Sequence, residues 1–171
     1  SINYATAKVR RASGSIETDG EQVRWEKLVS KKRWTLNSIG DGAAFRAEGQ
    51  LTGGTLQPRH WHHIVATWDG SETVLWIDGE AVARGRFDGP LQPGSAPLRL
   101  GASGIDGLTD AFLEGDVVMP AIYSQALRPD EVRARFADRG LHTPRGRAVL
   151  ACWPLREERG DAVADSSGHQ R

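Results

Sequence analysis

Residues 61–79 read WHHIVATWDGSETVLWIDG, and their alternation decides the fold class. In WHHIVATW, Ile64, Ala66 and Trp68 share one face of an extended strand, while His63, Val65 and Thr67 share the other. Asp69-Gly70 reads as a turn, TVLWID as the next strand and Asp78-Gly79 as a second turn. An Asp-Gly pair suits a tight hairpin because both central residues of a type I′ turn have positive φ. EAVARGRF supplies a third strand, so the block predicts an antiparallel meander.

Outward from this block the same signals repeat. Upstream, KLVS, RWTLNSI and AAFRAEG read as strands separated by Lys31-Lys32 and Asp41-Gly42. Downstream, PLRLGAS reads as a strand and GIDGLTDAFLEG as an acidic, turn-rich stretch. DVVMPAIYS is strand-like, with Pro120 demoting it to an edge or a bulge, since proline cannot donate to a ladder. RPDEVRARFADRG predicts one short helix. Pro129 suits its first position, Asp130 and Glu131 favour the positive end of its dipole, Val132 and Phe136 form its buried face, and Gly140 stops it. Many strands and one late helix give an all-β, antiparallel sandwich with the helix near the C-terminal end.

LHTPRGR reads as a linker and VLACWPL as a new strand. Ala148, Val149, Leu150, Ala151, Cys152, Trp153 and Leu155 are too apolar to leave in water, so residues 148–155 are expected to join the sheet. The organisation predicted is a sandwich over residues 1–140. Residues 141–171 form a linker plus a displaced strand, which completes the sandwich or begins a further segment.

The bulk numbers exclude several classes. The 171 residues suit one domain. Lys plus Arg and Asp plus Glu both number 22, so no net field draws nucleic acid or an anionic membrane. Cys152, the only cysteine, allows no intrachain disulfide and lies in an apolar run that predicts a buried, inert thiol. No stretch is long and apolar enough for a membrane helix, and no signal peptide opens the chain. A cytoplasmic setting is slightly favoured, with secretion after removal of an export signal left open.

WHHIVATWDGSETVLWIDGEAVA resembles the central signature of laminin-G-like, concanavalin A-like jelly-roll domains: Trp-x-His-Val-Ala-x-Thr-aromatic-Asp-Gly, then Leu-aromatic-Val-Asp-Gly. Trp61, His63, Ala66, Trp68, Asp69, Gly70, Leu75, Trp76, Asp78 and Gly79 carry it. Ile122, Tyr123, Ala126, Leu127, Pro129 and Glu131 match a second family pattern. The resemblance implies a jelly-roll sandwich and a lectin-like role. Two positions depart from it. Arg128 stands where the family has a serine N-cap. The Trp-x-Leu…Asp-Ser-Ser-Gly motif that opens the family lies here at the end, in WPLREERGDAVADSSGH. LEGDVVMPAIYSQALRPDEV together with that tail also resembles the lectin-like module of N,N-dimethylformamidase-type large subunits, in which an active site would lie in a separate amidohydrolase domain.

Four groups of side chains invite chemistry. Glu17, Asp19 and Glu21 have the i, i+2, i+4 spacing of a glycosidase cleft strand, but Thr18 and Gly20 offer no apolar back face and Asp19-Gly20 is a turn signal. His60 and His62 share a strand face without a third ligand, so both are expected in solvent, with His63 packed or hydrogen-bonded. Asp106, Asp110, Glu114 and Asp116 are the calcium candidates, hard oxygens on a flexible loop; calcium is the only cofactor they point to. Trp61, Trp68, Trp76 and Trp153 are expected in the core, which leaves Trp25 and Trp34 as ligand-binding candidates that could stack on a sugar. The expected function is therefore a non-catalytic accessory or interaction module of a larger protein. A calcium-assisted glycan-binding lectin is the first alternative and a glycoside hydrolase the second. The expected partners are other domains or subunits and glycans, with neither nucleic acid nor membrane.

Overall fold

The computed structural model describes residues 4–11, 35–39, 42–46, 50–57, 59–86, 100, 103–105, 108–110, 113 and 115–169. Among them lie eleven strands and one helix: β1 (Tyr4–Arg11), β2 (Thr35–Ile39), β3 (Gly42–Arg46), β4 (Gln50–Gly53), β5 (Trp61–Trp68), β6 (Glu72–Ile77), β7 (Glu80–Arg86), β8 (Ser103–Ile105), β9 (Leu108–Asp110), β10 (Gly115–Tyr123), α1 (Pro129–Ala137) and β11 (Val149–Cys152). A six-stranded sheet runs in the order β11-β10-β1-β5-β6-β7, a second sheet is β2-β3-β4, and β8-β9 pair alone. Every pairing among the described residues is antiparallel, and β4 of the smaller sheet packs on β6 and β7 of the larger, as in an antiparallel jelly-roll sandwich.

Residues 61–86 form the meander β5, β6 and β7; both faces of β5 and β6 are covered, while β7 is partly exposed along its length. From His62 to Trp68 every residue is buried. Ile64, Ala66, Leu75 and Ile77 lie on the inner side, towards β4 of the smaller sheet. That approach is close: a Cβ on Gly53 would stand 2.6 Å from the Val82 carbonyl oxygen, so only glycine fits. His63, Val65 and Thr67 lie on the outer side with Trp76, whose Nε1 donates to Thr67 Oγ1 at 3.0 Å. There α1 covers one end. The Arg84 guanidinium, 5.9 Å from the Trp76 ring centre and paired with Glu72 at 2.8 Å, covers the other.

The two Asp-Gly turns differ. Asp78 and Gly79 have φ of +53° and +87° and join β6 to β7 as the two central residues of a tight hairpin. Asp69-Gly70 does not follow the type I′ expectation: three residues intervene, and only Gly70 has positive φ. There the Asp69 carboxylate closes the loop by accepting the Ser71 and Glu72 N–H groups at 2.9 and 2.8 Å. These two hydrogen bonds, Glu72 first, hold its pKa below the ordinary carboxylate value.

Of the two alternatives for Pro120, the bulge holds and the edge does not. β10 is flanked by β1 and β11, and its register with β1 shifts between Thr6 and Lys8, opposite Met119 and Pro120. Met119 takes φ of +51° there, and the Pro120 carbonyl accepts the Trp153 N–H at 3.0 Å. The stretch read as turn-rich before it contains the β8–β9 hairpin. KLVS and most of PLRLGAS lie outside the described residues.

α1 has no side-chain N-cap, because the Arg128 guanidinium is donor-only. Instead Glu131 reaches back to accept the Arg128 backbone N–H at 2.7 Å. Val132 is fully buried, while Phe136, expected beside it in the core, is 40% exposed.

β11 pairs with β10 at the sheet's edge, Ala121 opposite Cys152 and Ile122 opposite Ala151. A bare edge presents unpaired backbone groups. Here the Asp-Ser-Ser-Gly segment covers them: Asp165 accepts the Cys152 N–H at 2.9 Å, and the Ser166 N–H donates to the Cys152 carbonyl at 2.7 Å. The Ser167 hydroxyl donates to the Leu150 carbonyl at 3.3 Å. The buried Cys152 thiol is pushed up to about 11 by desolvation first and by Asp165 second.

Candidate functional site

The polar residues that converge are at the start of β5 and the β6–β7 turn. His62, expected in solvent, is buried and fully engaged. Its Nδ1 lies 2.7 Å from Asp78 Oδ2, and its Nε2 receives the Gln57 N–H at 2.8 Å. Because Nε2 accepts a backbone proton, Nδ1 carries the ring proton and donates to the carboxylate. Asp78 Oδ1 accepts the His63 N–H at 2.8 Å. A His–Asp pair invites a general-base reading, but every one of these ring and carboxylate atoms is committed to structure. The pair clasps the loop before β5 to the β6–β7 turn. The sequence marks Asp78 as a turn residue and as part of the family signature, not as a partner of His62; a carboxylate on a tight turn beside a strand carrying a histidine is the signal for more.

Trp61 departs most from expectation. Placed in the core by its strand pattern, it is 46% exposed, at the only exposed position of β5. Trp68 and Trp76 are buried, as expected, and Trp153 is half-buried. His63, on the same face as Trp61, is buried and stacks on Phe136 with centroids 6.4 Å apart at 19°.

The remaining candidates are not brought together among the described residues. Trp25, Trp34, Glu17, Asp19, Glu21, Asp106 and Glu114 lie outside them. Asp110 ends β9, and Asp116 is an exposed residue at the start of β10. No trio of His, Cys, Asp or Glu that could hold a metal ion occurs among the described residues. No helix among them is long and apolar enough to cross a membrane.

Residues 3–133 match the family model of the concanavalin A-like lectin/glucanase superfamily. The chain belongs to this superfamily. A search of curated protein sequences gave no match. Among similar solved structures is a candidate carbohydrate-binding protein from Bacteroides ovatus: TM-score 0.75, 13% identity, 99% of this chain and 50% of that one. A Trypanosoma rangeli sialidase gives 0.62, 14%, 81% and 23%. The Ruminococcus gnavus IT-sialidase carbohydrate-binding module CBM40, bound to α2,3-sialyllactose, gives 0.55, 12%, 79% and 82%. At these identities the likeness is one of fold. The chain spans half the length of the first of these proteins and about a quarter of the second.

Proposed function

We propose that this chain is a non-catalytic glycan-recognition module that works within a larger protein. The observation that carries this is the match in fold to a candidate carbohydrate-binding protein over 99% of the chain. The His62–Asp78 pair supports the same reading. With Nδ1, Nε2 and both carboxylate oxygens hydrogen-bonded to backbone or to each other, it acts as a structural clasp and not as a poised general base. That this chain spans half or less of two similar proteins favours a module of something longer.

Within this reading, calcium held by Asp106, Asp110 and Asp116 would make recognition metal-assisted, and Trp25 and Trp34 remain candidate stacking residues. The narrower assignment, to a dimethylformamidase-type large subunit, rests on the sequence of residues 113–132 and 150–169; a neighbouring amidohydrolase domain in the parent reading frame would support it. A glycan array probed with calcium and again with chelator tests the function. Binding without turnover is the expected outcome. Hydrolysis of an arrayed glycan, or no binding in either condition, overturns it.

A further inference from the structure

We propose that Trp61 and Phe136 form an aromatic platform for a neutral glycan on the helix-bearing outer face of the six-stranded sheet. This rests on the glycan-binding reading and adds to it the place of contact and the ligand class. β5 is buried throughout except at Trp61, which is 46% exposed. Alternation puts Trp61 on the side of His63, two residues and about 7 Å along the strand. His63 in turn stacks on Phe136, whose ring is 40% exposed. Trp61, His63 and Phe136 thus follow one another from the strand's first residue to the helix, and the outer two rings reach solvent.

The Phe136 half of the platform is held in place. A Cβ on Gly79 would stand 3.3 Å from Phe136 Cδ1 and 3.4 Å from Arg133 Cγ, so the β6–β7 turn seats the ring and the arginine stem. A ring already ordered loses little freedom on binding. Polar groups surround it. Arg59 and His60 precede Trp61 and are exposed, and Arg133 is exposed on α1. Asp116 lies in the same row across the sheet, since Arg10 is the register partner of both Trp61 and Asp116.

Ring faces bordered by hydrogen-bonding groups suit a sugar, which offers C–H groups on one face and hydroxyls at its rim. Nucleobases also stack on aromatics, but a chain of zero net charge supplies no general attraction for phosphates. A protein partner would require about 800 Å² of contact per side. Here two half-exposed rings are interrupted by buried His63 and bordered by charges.

The test is titration calorimetry with cellohexaose, xylohexaose and lactose, on the full chain and its variants. Trp61→Ala is expected to weaken the sugar bound by wild type roughly tenfold. Trp61→Phe keeps a flat ring and should stay within about threefold of wild type; Leu141→Ala, at an exposed position off the platform, should leave affinity unchanged. Circular dichroism melting separates lost binding from lost folding. If Trp61→Ala melts like wild type and binds equally well, or if Trp25→Ala or Trp34→Ala carries the whole loss, the platform is wrong while glycan recognition stands. If wild type binds none of the three sugars, the platform falls; if the glycan array is blank as well, the functional reading falls with it. A wild-type dimer that Trp61→Ala dissociates, without sugar binding, assigns the rings to a second copy and overturns the proposal.

Discussion

Two aspartates, one in a turn and one in the tail, do the same job at different places in the six-stranded sheet. Asp78, in the β6–β7 turn, accepts the His63 N–H of β5 at 2.8 Å. Asp165, in the tail beyond the last strand, accepts the Cys152 N–H of β11 at 2.9 Å. The first acts inside a meander whose strands follow one another in sequence, and it recruits His62 as well. The second acts at an edge, where the tail must fold back over a strand that has no further neighbour among the described residues. A carboxylate oxygen is thus used twice to satisfy a backbone donor beyond the regular ladder, once in the interior and once to blunt an edge.

The largest expected effect comes from removing one side of this comparison. Deleting residues 148–171 removes β11 and its clasp and uncovers β10, along with the burial of Val149, Ala151 and Cys152. Losing that much buried apolar surface should lower the melting temperature by on the order of 10 °C or cause aggregation. A truncated chain melting within a degree or two of the intact one would show the tail to be dispensable.

Asp78→Ala comes next. It leaves the His63 N–H and the His62 Nδ1–H without acceptors and removes a residue that tolerates φ of +53°. A loss of about 2–3 kcal/mol in chemical denaturation is expected. Asp165→Ala should cost less, about 1–2 kcal/mol, because the amides it orphans, Cys152 and Ser167, lie on the sheet's edge strand and in the partly exposed tail rather than within the meander. Amide exchange should distinguish the two: Asp165→Ala should accelerate exchange locally, at Cys152 and Ser167, and Asp78→Ala across β5. Equal, uniform acceleration in both variants would erase the contrast between edge and interior.

Two pH effects sharpen it further. The Cys152 thiol, pushed up from 9.0 to about 11, stays protonated in the fold while the unfolded thiol ionises. Its contribution to stability is therefore complete below about pH 9 and lost as pH rises towards 11. Cys152→Ala should flatten the alkaline fall in stability; an unchanged alkaline slope would mean that the thiol contributes nothing there. The smallest effect belongs to Asp69. Its folded pKa lies below the unfolded value, so its contribution is present above the unfolded pKa and lost as pH falls through the folded one. Asp69→Asn should blunt the acid end of the stability profile slightly, and an acid limb identical to wild type would remove this carboxylate from the account.

The alternation of residues 61–87 and the two Asp-Gly pairs were enough to read β5, β6, β7 and the all-β class. Period-two burial and turn chemistry are local properties. The helix and its start were legible for the same reason, through Pro129, Asp130 and Glu131. Burial of 148–155 could be demanded from composition, because that many apolar side chains cannot stay in water. The partner strand could not, since β10 lies some thirty residues earlier and only the folded sheet brings them together. Solvent exposure at strand ends was likewise illegible. Trp61 obeys the same alternation as His63, but His63 stacks on Phe136 of the helix and is buried while Trp61 at the strand's first position is 46% exposed, so burial depends on where distant elements pack. His62 read as a solvated residue because its partners, Gln57 and Asp78, are five and sixteen residues away. The sequence by itself determined which segments extend, where they turn and which must be buried, because those follow from neighbours in the chain. Tertiary structure decided which carboxylate meets which amide and which tryptophan faces water, because those depend on contacts between elements that no local pattern encodes.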